Sequence, residues 1–254
     1  MKLGLEGKSV LVTAGSRGIG LACALGFHAE GARVTISGRD QATLDVAAQL
    51  MPGCATVAGD VTVPDDIERM VSAAGPVDIL VNNAGGPPAG LFDSLSDDQW
   101  QQAFELTLMS AIRASRLVLP HMRGQRWGRI VNISSSGVKQ PVPGLTLSNS
   151  IRMGVLGWAK TLSAQVGPDG VTVNTVCPGW TDTDRVSDIV NRRARDSGAS
   201  PDTIMRGITS QIPLGRLGRP EEIANLVLFL GSQAAAYITG TAIQVDGGAV
   251  QGYA

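Results

Sequence analysis

The chain has 254 residues, 43% of them hydrophobic and 17% charged, with a formal net charge of −1. That is the composition of a globular protein with a sizeable core, and α/β folds of this size commonly form one domain. The balanced charge, without an acidic or basic block, gives no basis for binding nucleic acid or an anionic membrane, and no apolar run reaches the roughly 18 residues needed to span a bilayer.

Short runs rich in Val and Ile at 9–13, 33–37, 78–82, 129–134, 171–176 and 242–246 predict strands buried on both faces. Helical patterns lie between and after them at 18–30, 40–50, 64–74, 97–123, 148–166 and 220–231. This alternation predicts a doubly wound parallel sheet covered by helices, one domain over 1–254. Residues 183–216 break the alternation and are more polar. An insertion after a late strand lies beyond the carboxyl ends of the strands, so this one is expected to be a lid or substrate-binding segment. The three cysteines, Cys23, Cys54 and Cys177, form no CxxC or Cys/His cluster and read as free thiols in a reducing compartment. The opening MKLGLEGKSVLVT carries no signal-peptide pattern, and the expected setting is cytoplasmic.

LVTAGSRGIG places a glycine-rich turn between the first strand and the first helix. Gly15, Gly18 and Gly20 let the backbone turn tightly and approach a pyrophosphate, and the helix N-terminus offers free N–H groups and a positive dipole end. A tight structural turn without a ligand is the alternative. The second strand ends TISGRD, with no carboxylate at Ser37 or Gly38 to hold the ribose hydroxyls of NAD(H). Arg39 follows, and Arg17 sits inside the glycine loop; two guanidinium groups suit a 2′-phosphate, which favours NADP(H). Asp40 is the competing partner for Arg39, as an ordinary surface ion pair.

These features, with motifs further along, resemble the short-chain dehydrogenase/reductase family over nearly the whole chain. TAGSRGIG is similar to its cofactor loop, Ala14 to Ile19 (Ala14, Gly15, Ser16, Arg17, Gly18, Ile19), with Ala14 where glycine is usual. GDV resembles the turn that contacts adenine, implying Asp60 and Val61. NNAG, with Asn83, Ala84 and Gly85, resembles the segment that lines the cofactor pocket. PGWTDT, with Pro178, Gly179, Thr181 and Thr183, resembles the segment that holds the nicotinamide carboxamide. NISS leads to Ser135, and GRPEEIA, ITG and VDGG complete the match. The resemblance implies a Rossmann-like fold, an oxidoreductase acting on a carbonyl or alcohol, and a homotetramer or homodimer.

In that family a tyrosine moves the proton, a lysine lowers its pKa and binds the nicotinamide ribose, a serine orients the substrate, and an asparagine holds a relay water. Ser135 matches the serine. The tyrosine position is Ser148, the lysine position Arg152 and the asparagine position Thr107. A phenol titrates near pH ~10 and a neighbouring cation brings it within reach of neutrality. An aliphatic hydroxyl is a far weaker acid. Arg152 stays charged, can bind ribose hydroxyls and can stabilise an oxyanion. Two expectations follow. In one, the protein is an oxidoreductase with a non-standard site of Ser135, Ser148 and Arg152, its proton coming from water, Lys139, Asp182 or Asp184. In the other, it is an inactive nucleotide-binding homologue serving as sensor or structural subunit.

His28 and His121 have no partners at metal-ligand spacing, so no metal is expected. Arg192, Arg193 and Arg195 in the insertion read as a solvated helix face or as a steering patch for an anionic substrate. Val155, Trp158 and Leu162 share helical spacing, as core or interface residues.

Overall fold

The structure is a computed structural model and describes residues 2–252. Seven parallel strands form one sheet: β1 (Ser9–Val12), β2 (Arg33–Gly38), β3 (Ala55–Ala58), β4 (Ile79–Asn82), β5 (Gly128–Ile133), β6 (Val171–Pro178) and β7 (Ala242–Val245), in the order β3-β2-β1-β4-β5-β6-β7. β1, β4, β5 and β6 are buried along their whole length, as a sheet covered on both faces requires.

Helices α1 (Gly18–Ala29), α2 (Gln41–Gln49) and α9 (Pro220–Leu230) contribute to the core on one face, where Phe27, Leu44 and Val227 pack with Val10, Ile36 and Val131. Helices α3 (Pro64–Ala74), α5 (Ser110–Gly124) and α6 (Thr146–Val166) build the other, with Ile67, Val118 and Leu162 against Leu11, Leu80 and Val173. Val155 is buried on α6 and Trp158 packs against that second core. Two further helices, α7 (Asp184–Ser197) and α8 (Pro201–Thr209), occupy the insertion and share a small core of Val186, Val190, Ile208 and Ile212 under Trp180 and Leu217.

Three features depart from the sequence expectation. β3 was not predicted; it is a four-residue edge strand with half-exposed side chains, so it lacks the apolar run that marks the others. The helix expected over 97–123 is divided: α4 (Asp97–Phe104) and α5 are joined by a π-helical turn, Glu105–Met109. Such wide turns concentrate at functional sites, and this one carries Thr107. α6 begins at Thr146 rather than at 148. Among the described residues no helix is long and apolar enough to cross a membrane.

Candidate functional site

The strand order reverses between β1 and β4, and the crevice beyond their carboxyl ends is where a doubly wound sheet binds ligands. Here the loop after β1 is clamped to the loop after β4. Thr13 Oγ1 donates to Asn83 O at 2.7 Å and accepts from Asn83 N at 2.9 Å. Asn83 Nδ2 donates to Thr13 O at 3.2 Å and to Ala14 O at 3.0 Å. Gly15 N donates to Ser37 O at 2.8 Å, closing the loop onto β2. A Cβ on Gly20 would lie 2.5 Å from Ala14 O and 2.6 Å from Asn83 Nδ2, so only glycine lets α1 start this close to the loop. Ala14 holds φ +46°, a left-handed conformation that costs a non-glycine residue about 1 kcal/mol or more.

No side chain caps the N-terminus of α1 and no acidic residue sits in its first turn. Its free N–H groups and dipole therefore remain available to an anion. Ser16 lies against Gly38 at the end of β2, and Ile19 packs on the core. The exposed Arg17 reaches in two directions: Nη2 donates to Thr43 Oγ1 at 3.1 Å, and Nη1 is 3.9 Å from Asp184 Oδ2. Arg39 is exposed and has no hydrogen-bond or ion-pair partner among the described residues. Asp40 does not pair with it. Asp40 is the N-cap of α2 and accepts from the hydroxyl of Thr43 and, at 3.0 Å, from Thr43 N. Those two bonds, with a smaller contribution from Arg17, hold its carboxyl below the usual carboxylate range. At the next strand end, Asp60 Oδ1 accepts from Thr62 N and Oγ1 at 2.8 Å, and Val61 is buried.

The opposite half of the crevice is built by β5 and α6. Ser135 follows β5, and its Oγ accepts from Gly137 N at 3.0 Å. Ser148 and Arg152 sit one turn apart on one face of α6, 9% and 7% exposed. Arg152 Nη1 donates to Ile133 O at 2.9 Å and to Ser134 O at 3.0 Å, while its Nε has no partner among the described residues. Burial, aided by Arg185 and opposed by Cys177, pushes its pKa down to about 10. Cys177, at the end of β6, is itself pushed up to about 11 by burial, against the opposing influence of Lys139 and Arg152. Lys139, in the loop after Ser135, is half-buried. No hydrogen bond joins Ser135 to Ser148 among the described residues.

A narrow cavity of about 20 Å³ runs behind these groups, lined by Thr13, Asn82, Asn83, Ala84, Thr107, Asn132 and Arg152. That volume holds about one water. Thr107 is 7% exposed and its hydroxyl has no partner among the described residues. Asn82 Nδ2 donates to Asn132 Oδ1 at 2.9 Å and to Ser115 Oγ at 3.1 Å, linking β4, β5 and α5. Gly85 faces open space.

The third wall follows β6. Pro178 is in register with Val245, and Gly179 N donates to Val245 O at 2.9 Å. Thr181 Oγ1 donates to Gly179 O and Thr183 Oγ1 to Thr181 O, folding 179–183 into a tight ledge before α7. Asp182 and Asp184 are exposed, Asp182 N donating to Gly218 O. Arg193 stacks 5.2 Å from the Trp180 ring and donates to Pro143 O at 3.0 Å, and Arg192 lies 3.8 Å from Asp196. Arg185 Nη2 donates to Pro87 O at 2.5 Å. His121 faces Asp78 at 3.4 Å, before the first residue of β4 and so at the end of the sheet away from the crevice.

The sequence did not single out Arg185, the π turn at Thr107, or the Asn82–Asn132 pair as a cavity wall. Arg185 reads as one more charge on a polar helix; only its inward contact with Pro87 distinguishes it.

A helix-capped glycine loop at the reversal of a seven-stranded parallel sheet defines a dinucleotide-binding α/β protein. The family model described as enoyl-(acyl carrier protein) reductase matches residues 13–250. An uncharacterized oxidoreductase, YvrD of Bacillus subtilis, is 36% identical over 264 aligned positions, covering 99% of each chain. The 3-oxoacyl-(acyl-carrier-protein) reductase of Escherichia coli is 37% identical, covering 97% of this chain and 98% of its own. Among solved structures, L-sorbose reductase of Gluconobacter frateurii, complexed with NADPH and L-sorbose, superposes with a TM-score of 0.94 at 32% identity, over 99% of this chain and 100% of that one. An actinorhodin polyketide ketoreductase with NADPH gives 0.92 at 34% identity, over 97% of this chain and 98% of that one. The chain belongs to the short-chain dehydrogenase/reductase family.

Proposed function

We propose that this protein is an NADP(H)-dependent oxidoreductase that interconverts a carbonyl and an alcohol, with Ser148 and Arg152 working where the family pattern carries tyrosine and lysine. The observation that carries this reading is the buried Arg152 guanidinium. It is fixed to the two carbonyls that precede Ser135 and has no carboxylate within 4 Å among the described residues. A buried cation with no protein counter-charge is costly unless a ligand supplies one.

The residues fit the cofactor. The uncapped α1 N-terminus and the Gly15–Gly20 loop suit a pyrophosphate; Arg17 and the unpartnered Arg39 suit a 2′-phosphate. Asp60 and Val61 would flank the adenine, and Asn83, Ala84 and Gly85 would line the middle of the crevice. Pro178, Gly179, Thr181 and Thr183 would hold the carboxamide end. NADPH-complexed relatives with this fold support the choice. When bound, the cofactor supplies or accepts the hydride.

The chain's own groups do the rest. Ser135 and Ser148 orient the substrate oxygen by hydrogen bonds. Arg152, pushed down only to about 10, stays cationic at neutral pH and stabilises the developing alkoxide. Ser148 cannot serve as a general acid. Lys139, half-buried near Cys177, and the one-water cavity behind Arg152 are the two routes for the proton. Asp182 and Asp184 lie on the exposed side of the ledge and are not used.

Helices α7 and α8 form a lid. Arg185 straps α7 to the loop after β4 through Pro87, and Arg193 straps it to the loop before α6 through Pro143. A homotetramer packed through α5 and α6 is supported by Leu117 and Met153, 38% and 51% exposed there.

The test is consumption of NADPH with a panel of ketones and aldehydes, and of NADP with alcohols. Turnover that is lost in Ser135→Ala and Arg152→Ala is expected. Tight NADPH binding with no turnover on any probe would favour the nucleotide sensor instead.

A further inference from the structure

The lid helix brings a second guanidinium to the reacting end of the crevice. Arg185, in the first turn of α7, is half-buried, and its Nη2 donates to Pro87 O at 2.5 Å. Its seat is made by Gly86: a Cβ there would come within 3.0 Å of Nη2, 3.1 Å of Nε and 3.2 Å of Cζ. A residue with any side chain at 86 would push the guanidinium away. Burial lowers its pKa, with Asp188 opposing, and it lies close enough to Arg152 to depress that group as well. Neither arginine has a carboxylate within 4 Å among the described residues, although Arg17, Arg69, Arg113, Arg123, Arg192, Arg216 and Arg219 all do. Asp188 is the acidic side chain that acts on Arg185, and it makes no ion pair with it within 4 Å among the described residues.

Two partly desolvated guanidinium groups that repel each other are stabilised further by an anion between or beside them. Pro87 O occupies one of the five N–H donors of Arg185 and leaves the fork open for a planar bidentate ligand. We propose that the substrate carries its own carboxylate next to the reacting carbonyl or carbinol, and that Arg185, seated by Gly86, binds it while Arg152 faces the reacting oxygen. The substrate class is an oxo acid and its hydroxy acid. The carboxylate is unchanged in the reaction: the carbonyl carbon gains a hydride, its oxygen gains a proton, and the acid group only positions them. This inference rests on the oxidoreductase assignment above, and Arg185 is a specificity-determining residue within it.

The test compares matched pairs on the NADPH-loaded protein: 2-oxobutanoate against butan-2-one, and acetoacetate against pentane-2,4-dione. The wild type is expected to favour the acid of each pair by about 10- to 100-fold in kcat/KM. Arg185→Met should erase the preference, mainly through KM, and leave NADPH affinity unchanged; Arg185→Lys should restore part of it. Two results overturn the proposal: equal use of acid and neutral ketone by the wild type, or an Arg185→Met variant that weakens NADPH binding and slows both substrates alike. The second would assign the guanidinium to the cofactor pyrophosphate. Should no ketone turn over, which is the failure of the oxidoreductase assignment itself, calorimetry of oxamate against the NADP-loaded protein decides. Binding to wild type and not to Arg185→Met upholds the carboxylate site, and no binding to wild type removes it.

Discussion

Arg152 Nη1 donates to the carbonyl of Ser134 at 3.0 Å, and that bond fixes a buried positive charge one residue before Ser135. A guanidinium in this position cannot take part in ordinary acid–base exchange, and the pH dependence of the reaction follows from it. Burial lowers its pKa to about 10, below the ordinary guanidinium range. The active form is the protonated one, present below the folded-state pKa. Carbonyl reduction, read as kcat/KM, is therefore expected to keep this cation through neutrality and fall as pH rises through about 10. Arg152→Lys should move that fall to lower pH, because an ammonium starts near ~10.4 and the same burial depresses it further. An alkaline fall that stays in place in Arg152→Lys would mean that another group sets it.

The same shift has a signature in stability. A cation whose folded pKa lies below its unfolded value destabilises the fold wherever it is protonated in both states. Stability is then expected to recover as pH rises above about 10, over the window in which only the unfolded chain holds the proton. Denaturant melts of wild type and Arg152→Met across that window check it: the difference between the two should shrink as pH rises.

Cofactor choice is expected to reside in two exposed arginines. Arg39→Ala and Arg17→Ala should each weaken NADPH binding by about 10- to 100-fold. They should leave NADH almost unaffected, since only the 2′-phosphate is lost as a partner. Calorimetric titration of both cofactors at low salt measures this. Because both side chains are exposed, the discrimination should narrow as ionic strength rises.

Gly20 and Gly85 should respond differently to a methyl group. Gly20→Ala drives a Cβ to within 2.5 Å of Ala14 O, and the fold is expected to lose about 1–3 kcal/mol together with cofactor affinity. Gly85→Ala meets nothing within 4 Å and should keep the stability of the wild type. Thermal melts with and without NADPH compare the two.

Restoring the family pattern is a gain-of-function test. Ser148→Tyr with Arg152→Lys and Thr107→Asn supplies a titratable phenol, its cation and a relay group. Simple ketones should then be reduced about 10²-fold faster or more, the ordinary contribution of general acid catalysis. No gain would mean that the wild-type route already delivers the proton without limiting the rate.

Much of the fold could be read in the chain, for a physical reason. Strands buried on both faces are mostly apolar, so β1, β2, β4, β5 and β6 announce themselves, and β7, at the other edge, is still marked by Ile243 and Val245. β3 does not, because an edge strand half open to solvent has no such requirement. The insertion looked merely polar because α7 and α8 bury only a narrow stripe, Val186, Val190 and Ile208, against each other. The glycine loop and the Ser148/Arg152 pair were legible because motif spacing fixes them. Whether Asp40 pairs with Arg39 stayed open because sequence cannot tell a helix cap from an ion pair; Asp40 caps α2. Arg185 and the π turn at Thr107 were invisible because their meaning lies in contacts with Pro87 and with the cavity, far away in sequence.

The most direct test of the central claim is isotope transfer. NADPH deuterated at the transferring C4 position is incubated with the protein and a carbonyl probe that it turns over, and the alcohol is analysed by mass spectrometry. One deuterium on the carbinol carbon for wild type, and loss of labelled product in Arg152→Ala with NADPH still bound, is the predicted result. Tight NADPH binding with no labelled alcohol from any carbonyl probe would contradict it.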